Sequence, residues 1–197
     1  MSAENLKQQI EFINELDKLK SVYRQTMVKS ENSRQENSAE HSWHIAMMAT
    51  LLVDYVSKPV DIHRVTIMLL IHDIVEIDAG DAFVFDANQV AGQEDKEIKA
   101  AERLFGLLPE CQRDYVMALW QEFEALETHD ARFAKAMDCM LPLLQNMDNN
   151  GGSWSKHSIS RAQVLKRNQY LESVAPELHE YALSQIDLAV EKGWLKP

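Results

Sequence analysis

Leu70-Ile71-His72-Asp73-Ile74-Val75-Glu76-Ile77-Asp78-Ala79-Gly80-Asp81 begins as an apolar helix and ends as a dense run of ionisable side chains. Val65, Met68, Leu69, Ile71, Ile74 and Val75 cover most faces of this segment, and a helix apolar all round is central in its fold. Burying a charge is costly unless it is paired or bound to a metal. His72, Asp73 and Glu76 therefore need partners. His72 and Glu76 are four residues apart and Asp73 and Glu76 three, so on a helix these pairs are neighbours. Asp61, after Lys58-Pro59, can cap the helix. Gly80 ends it and leaves Asp81 just beyond.

Working outward, the apolar residues recur mainly at helical spacing, and six Gly and five Pro in 197 residues are few. The expected fold class is all-α, in one domain over 1–197. Leu6, Ile10, Ile13, Leu16 and Leu19 form a helical stripe over Asn5 to Leu19. The polar stretch from Lys29 to Asn37 reads as a loop flanked by Arg24 and Arg34, whose bland reading is solvated surface charge. Ser38 is a good N-cap for a helix from Ala39 to about Val56. His41 lies in its first turn, at the end of a stripe of Ile45, Met48, Leu52 and Val56. A lone His in such a place is usually a hydrogen-bonded core or rim residue. Ala82 to Gln93 is irregular and suits the rim of a site. Further helices are predicted over Glu94–Phe105, from Pro109 to about Leu126, and after a cap at Thr128 or Asp130. The last of these carries Phe133, Met137, Met140, Leu141 and Leu144, with Asp138 among them. Asp is almost never fully buried unpaired. It is either satisfied by a Lys, Arg or backbone donor, or it is a metal ligand. Pro142, four residues on, removes the amide that would bond the Asp138 carbonyl and predicts a kink. Asp148 to His157 reads as a loop, and Arg161–Ser173 and Pro176–Glu191 as two final helices.

Hydrophobic residues make up 46% of the chain, which makes it globular, and the net charge is −11. That charge repels a nucleic acid polymer, and no Lys/Arg cluster offsets it. A small anionic substrate stays possible. The longest apolar runs are too short to span a bilayer, so no membrane partner is expected. Cys111 and Cys139 form neither a CxxC nor a disulfide framework, which suits a reducing cytoplasm.

His41, His72, Asp73 and Asp138 together make a mixed nitrogen and oxygen set. Such a set suits a divalent ion from Mn, Co, Fe, Zn or Mg better than a soft-metal site. Their order, His … His-Asp … Asp, resembles the HD-domain metal-dependent phosphohydrolases. The likeness extends through Leu19-Lys20-Ser21-Val22-Tyr23-Arg24, Arg34-Gln35-Glu36-Asn37-Ser38-Ala39-Glu40-His41-Ser42, Ile71-His72-Asp73-Ile74-Val75-Glu76 … Gly80-Asp81 and Phe133-Ala134-Lys135-Ala136-Met137-Asp138. These segments look like the 5′-deoxynucleotidase branch, over about residues 19 to 145.

The resemblance implies an all-helical HD fold, often a homodimer, and one divalent metal held by His41, His72, Asp73 and Asp138. It makes Glu76 the acidic catalytic position. It makes Arg24 and Asp81, and His41 a second time, contacts of a small-molecule nucleotide. One departure is plain: Gln25 follows the arginine where the best-known bacterial members carry Trp. The implied reaction releases phosphate from (deoxy)nucleoside 5′-monophosphates. Arg24 would neutralise phosphoryl charge, and Glu76 would move a proton to the leaving 5′ oxygen or orient the water. The alternatives are a phosphodiesterase or signalling-nucleotide hydrolase with the same site, and a non-catalytic nucleotide-binding protein. Arg34, His44, Trp154 and His157 have no assigned role.

Overall fold

The computed structural model describes residues 2–31 and 34–197. Its helices are α1 (Ala3–Leu16), α2 (Ser38–Leu52), α3 (Ile62–Ile71), α4 (Glu76–Ala79), α5 (Ala87–Val90), α6 (Gln93–Phe105), α7 (Glu110–Ala125), α8 (His129–Asp148), α9 (Gly152–His157), α10 (Arg161–Arg167), α11 (Tyr170–Val174) and α12 (Pro176–Glu191). The all-α expectation holds, with one local exception. Arg34–Asn37 is a strand, β2, antiparallel to β1 (Tyr23–Val28), with Tyr23 opposite Asn37 and Val28 opposite Arg34. The expected Lys29–Asn37 loop is thus half of a ribbon; its Asn32 and Ser33 lie outside the described residues. Polarity misled the reading because Glu36 and Asn37 point inward, onto partners rather than water.

The middle of the fold is α2, α3 and α8, with α7 against α3 and α8. Ile45, Val65, Met68, Leu69, Phe133 and Met137 are buried there. Asn37, not Ser38, caps α2: its side chain accepts from the Glu40 amide, and Glu40 returns the bond to the Asn37 amide. Asp61 and Thr128 cap α3 and α8. α8 continues through Pro142. In α1 the stripe reaches the core only at its end. Leu16 packs inward and Leu19 is buried, while Leu6, Ile10 and Ile13 stay exposed.

The predicted helix over Asp61–Gly80 is interrupted. α3 ends at Ile71, a 3₁₀ turn spans His72–Val75, and α4 resumes at Glu76. The winding tightens at the His-Asp pair, whose side chains meet the Leu69 carbonyl and Arg24. Two smaller expectations also change. Gly152–His157 is a short helix where a loop was expected, and the helix predicted over Arg161–Ser173 breaks at Asn168 into α10 and α11. Phe133→Ala, at a fully buried position of α8, is expected to destabilise the protein by about 3–5 kcal/mol in urea unfolding.

Candidate metal centre

The interruption after α3 brings three elements to one point. α2 supplies His41, the 3₁₀ turn His72 and Asp73, and α8 Asp138, all buried. One ligand atom each from His41, His72 and Asp73 lies within 4.8 Å of the others. Asp138 Oδ1 is 3.1 Å from His41 Nε2 and 3.8 Å from His72 Nε2. The four residues singled out in the sequence therefore meet, although up to 97 positions separate them.

Each imidazole is oriented from behind. His72 Nδ1 donates to the Leu69 carbonyl at 2.9 Å, which leaves Nε2 facing Asp73 Oδ1 at 2.9 Å. That Nε2 is buried and makes no hydrogen bond among the described residues. His41 Nδ1 faces Glu36 Oε2 at 3.4 Å, a charge contact without a hydrogen bond among the described residues. Glu36 is held in turn by Thr26 Oγ1 at 3.0 Å and by Gln145 Nε2 at 2.6 Å. A carboxylate behind a metal-binding imidazole fixes its tautomer and raises its basicity. Glu36→Gln is accordingly expected to cost about 10–100-fold in metal affinity, read by titration of the metal-stripped protein.

The charges of the cluster act strongly on one another. Burial would lower the basicity of His72, but the Asp73 and Asp138 charges overcome it and push the imidazole up to about 10. Burial would raise Asp73, yet His72 and Arg24 hold it below the aspartate range. Asp138 is held well below it too, against burial, by Lys135 and the two imidazoles. The cluster draws in positive charge, which a proton or a divalent cation can supply. Two imidazoles, two carboxylates and an orphaned buried Nε2 fit a borderline or hard divalent ion.

Strand β1 places Arg24 on this cluster. Nη1 donates to Asp73 Oδ2 at 2.8 Å, and Glu76 Oε1 and Asp81 Oδ1 are each 3.9 Å from it. Nη2 is 3.9 Å from Asp138 Oδ1. Glu76 is buried, and its Oε2 accepts from Ser38 Oγ at 2.5 Å. Burial first, then the Asp73 charge, push Glu76 well above the usual carboxylate range against the pull of Arg24. Asp81 is raised by burial as well, with Arg24 again opposing. A cavity of about 770 Å³ opens beside Arg24, His72, Asp73, Glu76, Asp81 and Asp138, within the size range of small-molecule sites. His41 lines neither this cavity nor the smaller one next to it.

Sequence reading missed Glu36, Ser38, Lys135 and Arg167. Glu36 and Ser38 lay in a segment read as a loop and a cap. Lys135 stands three residues before Asp138, an ion-pair spacing on a helix, and its Nζ is 2.9 Å from Asp138 Oδ2. Arg167, 3.2 Å from the same oxygen, had no local signal. Arg34 is a surface charge, as in the bland reading, paired with Glu31 and Glu40. His44 is exposed beside Trp43. Trp154 is buried against the smaller cavity, which Gln25 and Phe83 also line. His157 Nε2 lies 3.2 Å from Gln25 Oε1, and its ring packs on Phe83 with centroids 4.6 Å apart.

An HD-domain family model matches residues 16–179. The chain is 30% identical to a 5′-deoxynucleotidase HDDC2 of Xenopus laevis over 71% of its own length and 68% of the relative's. It is 27% identical to the 5′-deoxynucleotidase YfbR of Shigella dysenteriae over 87% and 93%. A crystal structure of a predicted metal-dependent phosphohydrolase from Magnetospirillum magnetotacticum MS-1 superposes with a TM-score of 0.93 at 52% identity, covering 98% of this chain and 97% of that one. With the matched region enclosing the whole His … His-Asp … Asp cluster, the chain belongs to the HD-domain family of phosphohydrolases.

Proposed function

We propose that the protein releases inorganic phosphate from (deoxy)nucleoside 5′-monophosphates with the help of one divalent metal ion held by His41, His72, Asp73 and Asp138. The observation that carries the reading is the meeting of these four buried side chains beside Arg24 at the wall of a nucleotide-sized cavity. The relatives that carry the name 5′-deoxynucleotidase support the substrate class. A divalent ion, when bound, supplies an activated water and polarises a phosphoryl oxygen.

The chain's own groups do the rest. Arg24 binds the phosphoryl group and balances the charge that develops on it, a role suited to a planar and permanently charged donor. Asp73, Glu76 and Asp81 flank Nη1, Glu36 and Asp138 the other nitrogens, and together they hold the guanidinium in place. Glu76 handles the proton. Ser38 fixes Oε2, so Oε1 is the oxygen left to serve the leaving 5′ oxygen or the water. Asp81 accepts from a sugar hydroxyl. His41 serves as a ligand only, because it is fully buried behind the cavity wall. Gln25, where the best-known bacterial members carry Trp, is backed by His157 and, through it, by Phe83, and in this reading the three together face the sugar or base.

In this reading the enzyme is a cytoplasmic homodimer. Both cysteines are free thiols, in keeping with a reducing compartment. Among the described residues no helix is long and apolar enough to cross a membrane. Sedimentation of the purified chain tests the dimer.

The activity test is phosphate release from a panel of nucleoside monophosphates, cyclic nucleotides and phosphodiesters. The protein is first stripped of metal and then resupplied with Mn, Co, Zn or Mg. Turnover of monophosphates with at least one ion is expected. Hydrolysis confined to diesters would favour the phosphodiesterase alternative, and binding without turnover a non-catalytic one.

A further inference from the structure

We propose that Arg167, at the end of α10, is a second phosphate-binding arginine of this site, an inference that rests on the phosphohydrolase reading. The reason is an unbalanced charge. Asp138 Oδ2 takes Lys135 Nζ at 2.9 Å and Arg167 Nη2 at 3.2 Å. Its other oxygen faces His41 Nε2 and His72 Nε2. One carboxylate is thus shared by two cations on one side and by the metal-binding imidazoles on the other.

Lys135 has further support, from the Glu124 charge and from the Phe123 ring 4.9 Å beneath it. Arg167 does not. Asp138 is the carboxylate with the strongest hold on it, while Arg24 and Lys135 repel it. Its place at the C-terminus of α10 helps a cation, but that helix has only seven residues. A guanidinium carries five N–H donors, and the donor to Asp138 is the one that is bonded among the described residues.

The unused donors belong to a side chain that lines both the 770 Å³ cavity and its smaller neighbour beside Gln25 and Phe83. Arg24, ringed by carboxylates, is already largely compensated. Arg167 is a positive fork with open positions, next to the proposed metal ligands. A phosphate monoester dianion supplies both the missing charge and acceptor oxygens matched to a planar fork. Arg167 therefore grips the phosphoryl group of the substrate and the phosphate product, and its bond to Asp138 aims it.

Calorimetric titration of inorganic phosphate into the metal-loaded protein tests this, with metal content and circular dichroism recorded for each variant. Arg167→Gln is expected to weaken phosphate binding at least about tenfold, the effect of losing a charge-assisted bond. KM for a mononucleotide should rise by a similar factor while metal content stays at the wild-type level. Arg167→Lys keeps the charge, loses the fork and should fall between the two. Unchanged phosphate affinity and KM together with lost metal would make Arg167 a mere support of Asp138 and overturn the proposal. Should Arg167→Gln not fold, wild-type phosphate affinity in Arg167→Lys has the same force. Phosphate binding does not require turnover, so a failure to hydrolyse nucleotides would sink the proposed function without deciding this result.

Discussion

Asp73→Ala is expected to abolish both metal retention and phosphohydrolase activity. The carboxylate has two jobs. Oδ1 lies 2.9 Å from His72 Nε2, at the centre of the cluster, and Oδ2 anchors Arg24 at 2.8 Å. Its loss removes a proposed ligand and frees the guanidinium that would face the phosphoryl group. A metal ion contributes several kcal/mol to such a transition state, and each 1.36 kcal/mol is tenfold in rate. A fall of roughly a thousandfold or more is therefore expected in kcat/KM. The fold should survive. Arg24 retains Glu76, Asp81, Asp138 and Glu36 within 3.9 Å, so its charge is not stranded. Circular dichroism and metal analysis of the purified variant check both halves, and a variant that keeps its metal and its rate would remove Asp73 from the site.

Glu76→Gln should separate chemistry from metal binding. The amide keeps the volume of the side chain and can still accept from Ser38, but it cannot exchange a proton. A positioned acid or base contributes typically about 10²–10⁴-fold, so kcat should fall within that range while metal content stays unchanged. Wild-type kcat would rule out a proton-handling role. Loss of metal in parallel with rate would instead make Glu76 part of the ligand set.

Three of the four proposed ligands stood out in the sequence as polar residues in an apolar setting, and such residues need partners; His41, between Glu40 and Ser42, stood out only through the family resemblance. His72 and Asp73 followed an unbroken apolar run, and Asp138 sat between Met137 and Cys139. Their convergence was not legible from spacing, and the family resemblance supplied it. The break at Ile71 left no local mark, because a 3₁₀ turn and an α-helix tolerate the same residues and tertiary contacts decide between them. The ribbon was hidden for the opposite reason. Arg34-Gln35-Glu36-Asn37 has the composition of a loop, and its strand state depends on Thr26, Gln145 and His41, which meet Glu36 only in the folded chain. Arg167 shows the limit of local reading: nothing around Ala162-Gln163-Val164-Leu165-Lys166 hints that the next residue reaches Asp138 from another helix.

A two-stranded ribbon is marginal by its own ladder, yet this one carries both Arg24 and Glu36. It is clamped from α8 and its C-cap, where Gln145 Nε2 donates to Glu36 and Asn149 Nδ2 to the Met27 carbonyl at 3.0 Å. Local opening of the ribbon would therefore release Arg24 and the carboxylate behind His41 in one event, while the buried helices stay folded. Amide exchange in β1 and β2 should then be faster than in α2 and α8, and should slow when the site is occupied, since the open form forfeits whatever the closed form binds.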